Sequence, residues 1–429
     1  MRVAPLRVPG VAGAAVVLGA LLAPAPAFAA ADGGDGRWYY DIPRLAEVHQ
    51  QTTGSGITIG LIDGRINTAV PDLVGADIQV HEPSYCAAVE GGDASPAVTT
   101  DRDARHATSI ASLLVGTDAG LAGEPGVPGV APAVSLRVYA VGMGEGEPCE
   151  TAAGLPDPAG ADATRDQAVR DAISDEVDIL VVPGDRRISA AVIAEAQRAD
   201  IIVIGAAGNN TGIVTGTLAT YNGVVSTGTV DAAAQIDLGS PSGPRLGVVA
   251  PGTDLRSISD AWDRYGTSTG SSNSAAYTAG ALALAWSAYP DARANQILQA
   301  LVHTAGGTVV ETPVHDDDWG YGLVNARTLL SVDPTAYPDE NPFLSDDPTL
   351  QPAAADVLGG DEPADPQAQA STPTESVDEP VVQERESGLP VLVLAGGAAA
   401  LLVAAGVATA GVVARRRRTN EPGPPAQDA

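Results

Sequence analysis

The chain has 429 residues, 45% apolar and 4% aromatic, with 53 acidic against 23 basic side chains and a formal net charge of −30. That length accommodates one large domain or two ordinary ones, and the apolar share suffices for a real core. So acidic a balance argues against a nucleic-acid partner, because phosphate binding requires clustered Lys and Arg, and the single dense basic run, Arg415 to Arg418, has another meaning.

In chain order, Arg2 and Arg7 precede an apolar stretch from Val11 to Leu22, and Ala27-Phe28-Ala29 has the small-x-small pattern of a cleavage site, so 1–29 is expected to be a signal peptide. The globular region is expected over 30–343. Strand-like runs rich in β-branched residues occur at 57–62, 134–141, 178–182, 201–205, 223–230 and 246–250, and helical patterns at 106–115, 161–175, 189–199, 272–288 and 293–303. This alternation predicts an α/β fold with a mainly parallel central sheet and helices on both faces. About 27 residues separate the predicted cleavage site from the first strand, too few for a separately folded inhibitory domain.

Cys86 and Cys149 are the only cysteines. In an oxidising compartment they are expected to pair, closing a loop worth roughly 4 kcal/mol on the chain-entropy model, with two free thiols as the alternative. Two thiols fall short of the ligand count of a structural zinc, and neither a metal nor a cofactor is expected. Residues 344–388, dominated by Asp, Glu, Pro, Ala and Gln, read as an acidic disordered spacer. The uncharged stretch 389–414 is long enough for one transmembrane helix, and the arginines that follow assign 415–429 to the cytoplasm. The globular domain is thereby expected outside the cell membrane.

Asp63 directly follows the apolar run ITIGLI, at the carboxyl end of a central strand, where a carboxylate can accept a histidine Nδ1–H. His106 opens the amphipathic helix HATSIASLLVG and is suited to act as general base. Ser272 follows a Tyr-Gly-Thr-Ser-Thr-Gly stretch expected to be flexible and begins a long small-residue helix, whose N-terminal N–H groups favour developing negative charge. Asn209, in AAGNN after the strand IIVIG, can donate its amide to an oxyanion beside the Ser272 N–H. His315, beside Asp316, Asp317 and Asp318, reads as a solvated loop.

Asp63, His106 and Ser272 come in the chain order used by the subtilisin branch of serine proteases. With GVAP at 129–132, VAPG at 249–252 and WGYGLVN at 319–325, the chain resembles a subtilase over about Trp38 to Leu330. Within subtilases it is similar to the mycosins, membrane-anchored proteases of actinobacterial type VII secretion. That similarity rests on the mature start near WYY, the Cys-bearing loop before His106, the acidic spacer and the C-terminal anchor. The resemblance implies a subtilisin-like fold and triad roles for Asp63, His106 and Ser272, with Asn209 as oxyanion donor. It also implies a substrate strand at Pro183, Gly184 and Asp185, a protein or peptide substrate, and association with a secretion membrane complex. It accommodates a second function too, that of a weakly active or inactive scaffold stabilising such a complex. The chain departs from the family pattern at several places: Gly64-Arg65 replaces Ser/Thr-Gly, Ala107 follows the histidine in place of Gly, Ser271 and Ala276 replace Thr and Pro, and Pro183-Gly184-Asp185 replaces Ser-Leu-Gly.

Overall fold

Each of the six β-branched runs forms a strand, and these strands with one short addition make a single parallel sheet of order β2-β4-β1-β6-β7-β8-β9. A computed structural model describes residues 34–143, 149–152, 161–184, 187–214 and 218–359. The sheet strands are β1 (Thr58–Asp63), β2 (Ile78–Val80), β4 (Ser135–Ala140), β6 (Ile179–Val182), β7 (Ile202–Ala206), β8 (Val225–Val230) and β9 (Val248–Pro251). Two small antiparallel pairs lie outside it: β3 (Cys86–Ala87) with β5 (Glu150–Thr151), and β10 (Leu255–Ile258) with β11 (Tyr265–Ser268). The helices are α1 (Trp38–Asp41), α2 (Leu45–Val48), α3 (Arg105–Val115), α4 (Ala161–Ser174), α5 (Ala190–Arg198), α6 (Ser271–Ala288), α7 (Ala294–Thr304), α8 (Ala326–Leu329) and α9 (Ala354–Leu358).

Alternation along the strands feeds two cores. Ile59, Leu61, Val138, Ile179, Val181, Ile202 and Ile204 face α3, α6 and α7, whereas Ile62, Tyr139, Leu180, Val182 and Val203 pack with α4 and α5 on the opposite face. Because the side-chain period of a strand is two, one apolar run serves both faces, as a fully covered parallel sheet requires. Helix α6 is buried along nearly its whole length, which its run of Ala, Gly, Ser and Leu permits.

The expected loop before Ser272 is corrected. Residues 265–268 form β11, paired with β10, and Tyr265 is fixed by a 2.7 Å hydrogen bond to Asp72 and by the Arg256 guanidinium 4.3 Å above its ring. Past the expected boundary at 343, residues 344–359 lie against the domain. There the chain meets the turn before β8 and then α5: the Asn222 amide exchanges 2.8 Å hydrogen bonds with the Ser345 backbone, and the Asn222 N–H donates to the Gln351 carbonyl at 2.8 Å. Val357 of α9 is buried, and the Arg198 guanidinium donates to the Asp356 carbonyl. These contacts, made by backbone groups and by the buried Val357, hold a stretch that composition alone assigns to a spacer.

Cys86 and Cys149 form a disulfide with Cα atoms 4.8 Å apart, joining β3 to the start of β5. Among the described residues no helix is long and apolar enough to cross a membrane. The expected signal peptide (1–29), the rest of the spacer, the expected span (389–414) and the tail (415–429) lie outside the described residues, as does Asp185. By its contacts the chain divides into units of residues 1–363 and 364–429, the second entirely outside the described residues.

Candidate active site

Strand order brings the carboxyl ends of β1, β6 and β7 side by side, and these ends carry Asp63, Pro183 with Gly184, and the loop to Asn209. Ligand sites in open α/β sheets gather at these ends, where parallel strands hand over to loops. Asp63 is 2% exposed. Its Oδ1 accepts the Gly64 N–H at 2.7 Å and its Oδ2 lies 2.7 Å from His106 Nδ1. An ionised carboxylate only accepts, so Nδ1 carries the proton and Nε2 is left as the basic nitrogen. Asp63 and His106 are thus brought together.

Several contacts that the sequence did not reveal hold this pair. Thr108 is fully buried, and its hydroxyl donates to Ala104 O at 2.6 Å and accepts the Asn67 N–H at 2.9 Å, bolting α3 to the chain after β1. The Ile66 N–H donates to Ala97 O and Thr99 N–H to Ile66 O, both at 2.9 Å. Thr108 lies two residues after His106 in the same motif, but nothing in one sequence distinguishes its hydroxyl from any other threonine near a helix start.

The Ser272 side of the site is built around the first turn of α6. Gly270 N–H donates to Gly252 O at 3.0 Å, Asn273 Nδ2 to the same carbonyl at 3.1 Å, and Ser274 Oγ to Ala250 O at 3.1 Å. The VAPG segment is therefore the socket for the helix start. A Cβ on Gly252 would come within 2.2 Å of Ser274 Oγ, so only glycine fits there. Ser272 sits in that first turn, where backbone N–H groups have no intrahelical acceptor, and its hydroxyl donates to the Pro183 carbonyl.

Asn209 divides its amide. Oδ1 accepts the Ser271 N–H at 2.8 Å and the Ser271 hydroxyl at 3.0 Å, which leaves Nδ2 as the end that donates. Ser271 Oγ in turn accepts the Gly208 N–H at 3.1 Å, so the serine in the family's threonine position supplies the hydroxyl needed to orient the amide. A cleft of about 230 Å³ opens beside these groups, lined by Pro183, Gly184, Ala207, Asn209 and Ser272 among others. None of its described lining residues carries a charge.

The other departures find places too. The Ala107 methyl is fully buried in the core. A Cβ on Gly64 would meet nothing closer than Gly142 O at 3.6 Å, so a serine there meets no steric bar. Arg65 turns away from the cleft and is buried against the chain before His106. His315 Nε2 hydrogen-bonds Leu246 O at 2.7 Å, and Asp316 Oδ1 accepts the N–H groups of Asp318 and Trp319, which makes this segment a self-closed turn.

A parallel sheet with an Asp–His pair at one strand end and a serine opening a buried helix defines the subtilisin-type α/β class. A profile of the subtilase family matches residues 54–326, and the chain belongs to that family. It is 31% identical over 281 residues to a thermostable alkaline protease of Halalkalibacterium halodurans, covering 64% of this chain and 67% of that one. It is also 31% identical over 133 residues to the halolysin-like extracellular serine protease Nep of Natrialba magadii, a match that takes in 31% of this chain and 24% of that protein's length. Among solved structures, the MycP3 protease from the type VII (ESX-3) secretion system superposes with a TM-score of 0.52 at 24% identity, over 71% of this chain and 90% of that one. The prenylagaramide maturation protease PagA superposes with a TM-score of 0.53 at 19% identity, over 67% of this chain and 98% of that one. At these identities the two superpositions establish the fold.

Proposed function

We propose that this protein is a serine endopeptidase in which Asp63, His106 and Ser272 form the catalytic triad and Asn209 supplies an oxyanion donor. The observation that carries the reading is the 2.7 Å contact of His106 Nδ1 with the buried Asp63 carboxylate, which leaves His106 Nε2 as a base. In the reaction, the Ser272 hydroxyl turns from the Pro183 carbonyl and gives its proton to His106 Nε2 as Oγ attacks the substrate carbonyl carbon. Asn209 Nδ2 and the Ser272 N–H receive the oxyanion. His106 then protonates the leaving amine, and water resolves the acyl-enzyme by the same steps in reverse. A cleft without charged walls among its described residues suits an extended peptide of low charge.

The finer reading places the enzyme outside the cell membrane, held by one C-terminal helix and serving type VII secretion. It rests on the sequence features of the two termini and on the likeness in fold to a secretion-system protease. Labelling of the full-length protein by a fluorophosphonate tests the chemistry. Labelling is expected in the wild type and absent in both Ser272→Ala and His106→Ala. Equal labelling of all three, or none in a folded wild type, removes the protease assignment.

One observation favours a scaffold role instead: the Ser272 proton is engaged by the Pro183 carbonyl, at the position where the family uses a substrate strand. Under that reading Ser272→Ala leaves the cellular phenotype unchanged.

A further inference from the structure

We propose that Arg65 is a positioning residue for the Asp63–His106 pair, an inference that rests on the catalytic reading above. Arg65 is 8% exposed, two residues after Asp63 in the chain, where the resemblance leads one to expect glycine. Its guanidinium reaches in two directions. Nε donates to Met143 O at 3.1 Å, and the terminal nitrogens lie 3.4 Å from Asp103 Oδ2 and 3.7 Å from Asp101 Oδ2.

The three partners lie on the two segments that adjoin the pair. Met143 follows β4, whose continuation lies against β1 through the Val141 N–H to Asp63 O bond of 2.7 Å. Asp101 and Asp103 belong to the single turn, 102–104 with its cap, that runs directly into α3 and delivers His106 as its second residue. The backbone bonds at Ile66 reach Ala97 and Thr99, and the Thr108 hydroxyl joins the Asn67 N–H to the carbonyl of Ala104, the last residue of that turn. To these neutral links Arg65 adds a charged one, from the residue two past Asp63 to the acids of the turn before His106.

A guanidinium presents its donors in a fixed planar fork, so the Met143 carbonyl and the Asp103 carboxylate are held in a fixed mutual geometry, with Asp101 adding its charge 3.7 Å away. A buried cation also demands its acids, which makes the turn costly to displace. Lysine offers the charge without the fork, and methionine offers neither. A displacement of about 1 Å at a reacting pair costs on the order of a hundredfold in rate.

The test compares full-length wild type with Arg65→Met, Arg65→Lys and Asp103→Asn, by peptide hydrolysis and by the low-field NMR resonance of the His106 Nδ1 proton. Expected for Arg65→Met is a fall in kcat of about tenfold to a hundredfold with KM little changed, since Arg65 does not line the cleft. The low-field resonance should broaden through exchange with water while the unfolding midpoint of the rest of the fold is kept. Arg65→Lys should recover part of both signals, and Asp103→Asn, which leaves the bond to Met143, should show the same defect in milder form. An unchanged kcat and resonance in Arg65→Met overturns the proposal, and so does a loss of kcat that merely follows loss of folded protein. Should Arg65→Met not fold, an unaltered resonance in Asp103→Asn overturns it. The resonance reports on the pair whether or not Ser272 is reactive, so failure of the protease reading, seen as absent labelling, is distinguishable from failure of this one.

Discussion

At the scale of single residues, the site depends on side chains that serve two partners at once. Asn209 is the clearest case: its oxygen accepts from the Ser271 N–H and hydroxyl at the start of α6, which orients the amide and leaves the nitrogen as the donor that the proposed oxyanion role requires. Replacing it by alanine is expected to lower kcat by about a hundredfold to a thousandfold, the ordinary consequence of losing one oxyanion donor, with a smaller change in KM. Steady-state hydrolysis of a peptide substrate reads both constants. An unchanged kcat would remove Asn209 from the chemistry and leave it as a cap. Residue types at Asp63, His106, Ser272 and Asn209 were legible in the sequence because each stands in a motif at a strand end or helix start. The roles of Thr108, Ser271 and Arg65 were not, because a hydroxyl or a guanidinium is assigned by what it touches, and their partners lie 41, 62 and 78 positions away.

At the scale of elements, α6 shows how closely this fold packs. A Cβ on Gly280 would lie 2.6 Å from Val130 Cγ1, and Val130 is fully buried. Helix propensity favours alanine over glycine by about 1 kcal/mol, whereas overpacking a filled core costs about 1–3 kcal/mol. Gly280→Ala is therefore expected to destabilise, by roughly 1 kcal/mol net, against the trend set by propensity alone. The midpoint of chemical unfolding checks the sign, and a rise would show that Val130 can yield. The major strands and helices were legible from β-branched runs and helical periodicity. Short β2, β10 and β11 were not: β2 is three residues paired with β4, and in β11 Tyr265 is held by the distant Asp72 and by Arg256 of β10 rather than by a local pattern.

At the scale of the whole molecule, residues 344–359 lie against the domain. Cutting after 343 would strip the bonds that Ser345 and Gln351 make to Asn222, a residue with no exposed surface, and would remove α9 from α5. Three lost hydrogen bonds at about 1 kcal/mol each, at roughly 2 °C per kcal/mol, put the expected fall in Tm at about 5 °C or more. Comparing chains that end at 343 and at 359 by thermal unfolding decides this; equal midpoints would return 344–359 to the spacer.

The sequence by itself determined the α/β class, the strands and helices of the main sheet, and the motif residues of the site, because hydrophobic periodicity and turn chemistry are local properties of a chain. Only the tertiary structure decided that β1, β6 and β7 are neighbours, that Arg65 faces Asp101 and Asp103, that β11 is a strand, and that 344–359 folds back onto Asn222. Each of these depends on pairings between distant segments, whose free energy arises when the surfaces meet and leaves no periodic trace in either segment alone.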